Sequence, residues 1–300
     1  MTSVVKGYSN AIVSAATFGM IPLFTLPLLS AGITMPSILF YRFGVGSLAM
    51  LLVLLVNRKD MRISLEQLWR IALLAFLYDL SAVALIMGYN YLPSGIATTL
   101  LFSYPIWTSL IMTVFFHERL SLPTVFAILI AVGGVACLSG MTHGFKLNSL
   151  IGLALEIVAG LTYSIYMVLV KVMKVRTMGS LKLTFYVFST GMLFLLLYAL
   201  CVEGGVSPVV TWHEAFNLLV LALLPTALSN VSLIMAIKQI GSTLTAVLGA
   251  FEPVTAMLVG ILVFGEPLTA PVVLGFCLII LSVFILVLQN GHTNGVGQKH

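Results

Sequence analysis

Apolar runs of about 18 to 23 residues recur along the whole length of this 300-residue chain. At 1.5 Å rise per residue, each is long enough to cross a hydrocarbon core of roughly 30 Å as a helix. Ten such runs can be placed, at about 9–29, 36–56, 68–89, 94–116, 122–140, 150–170, 181–202, 215–237, 242–264 and 268–288. None alternates polar with apolar residues as a barrel strand does, so helices must satisfy the backbone. Only 8% of residues are charged, against about a quarter in a soluble domain. The expected fold class is therefore an all-α membrane protein of ten transmembrane helices. The loops are short, and no stretch before Gln289 is large enough to form a soluble domain, so function must lie within the bundle. The tail 290–300, "NGHTNGVGQKH", is polar and Gly-rich and reads as a disordered cytoplasmic end.

Lysine and arginine set the orientation. With ten spans and both termini inside, twelve of the fourteen basic residues fall in cytoplasmic segments, Lys146 lies outside, and Arg42 lies within a span. That distribution obeys the positive-inside rule. The net charge of +5 is thus accounted for by topology and makes no case for nucleic acid. Cys137, Cys201 and Cys277 all fall inside apolar runs, where they act as small hydrophobes. The five histidines sit in loops or the tail, and no phosphate-binding glycine loop is present, so no metal or other cofactor is expected.

The chain repeats itself. A shift of 148 positions superposes residues 85–125 on 233–273 without a gap, matching Ser94, Pro105, Phe116, Glu118 and Pro123 to identical residues. A shift of 145 pairs "FYRFGVGSL" (40–48) with "FYVFSTGML" (185–193). Both shifts equal five spans. Five is odd, so the second copy crosses the membrane in the opposite sense, the inverted-repeat architecture of many secondary transporters, whose substrate site lies near the midplane between the repeats. The expected units are 1–140 and 150–289.

These features resemble the drug/metabolite transporter superfamily, in the branch built from two EamA-type repeats. The likeness rests on the Arg42-Phe43 pair, on Pro105 and Pro253 in mid-span, on "HERL" (117–120) and "GEPL" (265–268), and on "AVGGVACLSG" (131–140). His117 departs from the glycine usual before that glutamate. The resemblance implies a permease of the bacterial inner membrane, often an exporter of amino acids or other small metabolites. An integral membrane enzyme acting on a lipid or isoprenoid is the alternative.

Four ionisable side chains lie within spans: Arg42, Asp79, Glu156 and Glu252. Each is costly in lipid unless it faces a cavity or a partner. Arg42 and Glu156 share a depth, so they can pair; anion recognition is the other reading of Arg42. Asp79 has Ala75 and Ala82 on its own helical face and matches Ala227 in the second half. It is a candidate proton carrier or partner for a substrate amine, against a neutral acid hydrogen-bonded between helices. Glu156, Ala159, Gly160, Tyr163 and Tyr166 form one face that can wall a cavity. Thr226 and Asn230 stand one turn apart on the eighth span, and Tyr104 and Trp107 on the fourth can stack on a substrate or simply pack. Glu118 and Glu266 are twins under the shift, each near a helix-starting proline, and read as structural helix-end groups. Glu252 matches Tyr104 and so breaks the symmetry beside a paired proline. Small residues Ala127, Ala131, Gly134 and Gly275 suggest close helix packing, within one chain or in a homodimer.

Overall fold

A computed structural model describes residues 3–92, 94–117, 121–138 and 147–264, together with parts of 270–285. Glu118, Glu266, most of the run 268–288 and the tail lie outside the described residues. Among the described residues every regular element is helical. In chain order they are α1 (Ser3–Phe18), α2 (Ile21–Ser30), α3 (Met35–Val56), α4 (Leu65–Gly88), α5 (Ser94–Leu101), α6 (Tyr104–Phe116), α7 (Leu122–Leu138), α8 (Leu147–Val172), α9 (Ser180–Val202), α10 (Trp212–Ala222), α11 (Ser229–Ile240), α12 (Ser242–Leu248) and α13 (Phe251–Phe264). Seven stretches are long and apolar enough to span a bilayer, and two shorter apolar helices, Tyr104–Phe116 and Leu122–Gly134, accompany them.

Three expected spans are not continuous helices: 9–29 is interrupted by a turn at Gly19 and Met20, and two more break before a proline. The run 94–116 breaks at Phe102 and Ser103, and the run 242–264 breaks at Gly249 and Ala250. Both breaks have one cause. Pro105 and Pro253 lack an N–H and disfavour helical backbone in the residue before them. Each proline sits just inside the start of a new helix, where a missing donor costs nothing. Tight turns bridge the gaps, Ser103 N–H donating to Leu100 O at 3.0 Å and Ala250 N–H to Val247 O at 3.1 Å. The eighth span stays continuous but widens into one π-helical turn, Leu223–Leu228. Pro225 frees the carbonyl of Leu221, which the Thr226 hydroxyl caps at 2.7 Å.

Long helices pair along the bundle: α3 with α9, α4 with α8 and α1 with α11. The broken helices cross, α6 packing on α12 and α5 on α13. The small-residue face of α7 is spent inside the chain, where Ala127 and Ile128 bury against Val247 of α12. The basic loops gather at one end. There Lys182 Nζ donates to the Arg62 carbonyl at 2.6 Å and lies 3.7 Å from Asp60. The Arg62 N–H, 3.1 Å from Asp60, holds that carboxyl below its usual range. Lys238 donates to Met178 O, and Asn10 meets Gln239 at 3.1 Å. At the opposite end, Ser207 N–H donates to Ser37 Oγ at 2.8 Å and Tyr41 donates to Ser207 O at 2.9 Å.

Candidate functional site

Where the helices converge, the centre of the bundle is aromatic. Tyr78 on α4 lies with its ring centroid 5.6 Å from Phe43, 5.1 Å from Tyr166 and 5.9 Å from Phe188. Tyr163 stacks on Phe18 at 5.8 Å and meets the edge of Tyr104 at 5.1 Å. This cage draws on helices before and after the 138–147 connection, and it is closed. The cavity inside it, lined by Phe18, Arg42, Tyr78, Ser81, Leu101 and Tyr163, measures about 10 Å³, the threshold for a single water.

Arg42 is the cage's fixed cation. It is 1% exposed, its guanidinium carbon lies 5.8 Å from the Phe18 ring and 5.6 Å from the Phe43 ring, and Nε donates to Thr226 Oγ1 at 2.5 Å. Its Nη2 has no hydrogen-bond partner among the described residues. Glu252 at the second break and Glu156 on α8 are buried as well. The Arg42–Glu156 pair that shared depth allows does not form. Both Glu156 carboxylate oxygens lack a partner among the described residues. The carboxylate instead lies against Gly88 at the end of α4, so close that a Cβ there would collide with it. Shared depth fixes height along the bundle but not direction around it.

Glycines bring backbone to backbone at the two breaks. A Cβ on Gly160 of α8 would lie 2.9 Å from Leu101 O and 2.6 Å from Ser103 Oγ at the first break. Gly19, between α1 and α2, sits against the Glu252 carbonyl at the second. Gly249 sits under the Tyr104 hydroxyl, with no room for a side chain.

Most of the sequence candidates meet here. Glu156, Ala159, Tyr163 and Tyr166 are all buried, and Ser81 Oγ donates to Ala159 O at 2.9 Å. Asn230 Oδ1 accepts from Tyr166 at 3.2 Å and from Thr184 at 3.4 Å. Trp107 is only partly buried and turns back on its own helix, donating to Ser103 Oγ at 3.3 Å. Asp79 faces away from the cage. It packs against Gly191 of α9, whose added Cβ would lie 2.5 Å from Oδ1, and it lines a separate groove with Phe76, Phe194 and Tyr198. Phe18, Tyr78 and Phe188 escaped the sequence reading because aromatics are common in apolar runs. Their one visible signal is that Tyr78 aligns with Thr226 under the 148 shift, so both halves aim that position at Arg42.

A multi-pass helical bundle with a buried polar centre is the build of a membrane transporter. The chain belongs to the EamA-like transporter family, which it matches twice, over residues 5–140 and 150–288. It is 28% identical over 281 residues to an uncharacterized transporter of Archaeoglobus fulgidus, covering 93% of this chain and 95% of the relative. It is 23% identical over 254 residues to the uncharacterized transporter YoaV of Bacillus subtilis, covering 83% and 87%. An uncharacterized transporter of Synechocystis is 26% identical over 238 residues, covering 77% and 70%. One solved crystal structure of a protein shares the fold, with a TM-score of 0.78 at 17% identity over 96% of both chains.

Proposed function

We propose that this chain is a secondary transporter that moves a small zwitterionic metabolite, of the amino acid class, across the inner membrane by alternating access. The observation that carries the reading is the unpartnered Arg42 Nη2 in the aromatic cage, in a bundle that also buries Glu252 and a Glu156 whose oxygens are free. A substrate carboxylate suits the guanidinium, which offers planar donors. A substrate ammonium suits the two acids. The tyrosines and phenylalanines between them supply apolar walls that orient the rest of the molecule.

Inverted repeats at 1–140 and 150–289 account for the helix pairings. A shift by five spans turns the α1–α11 contact into α8–α4, carries α8 over the first break onto α1 over the second, and leaves α3–α9 unchanged. Rocking of one half against the other would open the cage to each side in turn. The basic loops at one end support a cytoplasmic face there, with both termini inside. Export is the direction the family resemblance favours, and proton binding at Glu252 or Glu156 is the coupling step. Glu118 and Glu266 remain assigned to helix ends.

Proteoliposomes holding the purified chain test this. Uptake of a radiolabelled amino acid panel, with and without a pH gradient, should single out one class that the gradient drives. Arg42→Gln should lower its transport at least tenfold. No transport of any amino acid, or full transport by Arg42→Gln, would refute the assignment of class and site.

A further inference from the structure

The groove between α4 and α9 holds a carboxylate that the central site does not use. Asp79 sits near the middle of α4 and is 6% exposed, and its Oδ2 has no hydrogen-bond partner among the described residues. The groove it lines measures about 320 Å³ and is otherwise walled by Phe76, Leu80, Val83, Phe194, Leu195 and Tyr198. The Phe76 and Phe194 rings meet edge to face at 6.5 Å. Phe76 is half exposed, as are Leu193 and Leu197 on the neighbouring face of α9, so the groove opens sideways toward lipid. The carboxyl packs on Gly191 of α9, where no side chain fits between them. Among the described residues no cation pairs with Asp79, and Arg42 is turned to Thr226.

We propose that this groove binds a lipophilic amine that arrives from the bilayer. An ionised carboxylate only accepts hydrogen bonds, so its ligand must donate. An ammonium donates and neutralises the charge together, while Phe76, Phe194 and Tyr198 can flank it with ring faces. The sideways opening requires a partner that partitions into lipid, its tail left among the acyl chains. The volume falls at the lower end of ligand pockets, roughly 300 Å³, enough for a head group and the start of a tail. Asp79 aligns with Ala227 in the second half, so the site belongs to one side of the bundle only. It stands apart from the central cage and does not depend on the transport reading.

The test is direct binding to the full chain in lipid nanodiscs, with tritiated dodecylamine as probe and dodecanol as the uncharged competitor. Wild type should bind saturably, and dodecanol should not displace the probe. Asp79→Asn should weaken binding at least tenfold. Val83→Trp, which fills the groove and leaves the acid in place, should do the same, so misfolding of either variant alone does not decide the outcome. A dodecylamine carrying a diazirine within the first few carbons from the amine should label Phe76, Phe194 or Tyr198 in wild type. The proposal is overturned by absence of saturable binding, by wild-type affinity in both variants, by equal displacement with dodecanol, or by labelling confined to Phe18 and Tyr163.

Discussion

The fourth and ninth spans each break before a proline and differ in almost everything before it. Leu101, Phe102, Ser103 and Tyr104 precede Pro105, whereas Gly249, Ala250, Phe251 and Glu252 precede Pro253. The first break is bulky and reaches out: Tyr104 extends across to Gly249 and edges onto Tyr163. The second is small and receives, with Ala246, Val247, Leu248 and Ala250 all fully buried and Gly19 pressed on its backbone. Proline alone sets where each helix stops. The residues around it decide which break supplies the wall and which the charge. Only the second carries an acid, the buried Glu252, so the functional asymmetry should follow it.

The largest effect should therefore separate Glu252 from its counterpart. Glu252→Gln keeps the shape and removes the charge, and transport by reconstituted protein should fall at least a hundredfold, a loss of about 2.7 kcal/mol or more in transition-state terms. Tyr104→Phe keeps the ring and should stay within about threefold of wild type. Similar losses in the two variants would mean that the breaks contribute alike.

Next comes the fit between the breaks. At Gly249 φ is −56°, which any residue adopts, so only space forbids a side chain there. Gly249→Ala should cost about 1–3 kcal/mol as overpacking. Adding Tyr104→Phe removes the hydroxyl from the collision and should return about 0.5 kcal/mol or more of that loss, a coupling that thermal melts of the four proteins would measure. Strict additivity would show that the two breaks do not touch as described.

How much of this the sequence disclosed depends on what each signal measures. Hydropathy reports length along the membrane normal, and the run 36–56 lies within a residue of Met35–Val56, as 181–202 does of Ser180–Val202. It is blind to a two-residue break, because an interrupted helix buried among its neighbours stays as apolar as a continuous one. Pro105 and Pro253 marked the breaks, yet a proline can equally kink a continuous helix, as Pro225 does through a π turn. The candidate polar residues were legible because charge is rare in lipid, and Arg42, Glu156 and Glu252 are all buried. Their partners were not. Depth allowed Arg42 against Glu156, while rotation about the helix axes gave Arg42 to Thr226 and turned Asp79 toward α9.

Thr226 gives a third, intermediate test, since its counterpart Tyr78 does a different task in the same cage. One hydroxyl caps Leu221 O at 2.7 Å and accepts from Arg42 Nε at 2.5 Å. Thr226→Val conserves volume but strands both groups in an apolar interior, which should cost about 1–3 kcal/mol in thermal or denaturant unfolding. Tyr78→Phe removes a hydroxyl that has no partner among the described residues, so it should cost far less. A larger loss at Tyr78 would show that the first half, not the second, anchors Arg42.

The smallest effect concerns the far ends of the same two helices. α6 stops at His117, whose φ of 53° and ψ of 30° place it in the left-handed region and let its N–H close on Met112 O. The matching position in the second half is Gly265, the residue type suited to such a cap. A side chain held there costs about 1–2 kcal/mol through the clash of Cβ with the following carbonyl. Glycine removes that strain, but it also frees the unfolded chain, which offsets roughly 0.5–1 kcal/mol. The strain is the larger of the two, so His117→Gly should raise stability by about 0.5 kcal/mol and leave transport unchanged. His117→Ala keeps the strain and should not stabilise. Melting temperatures of the three proteins in one detergent decide the point. If glycine lowers the melting temperature, the exposed His117 side chain holds the helix end by contacts worth more than the strain.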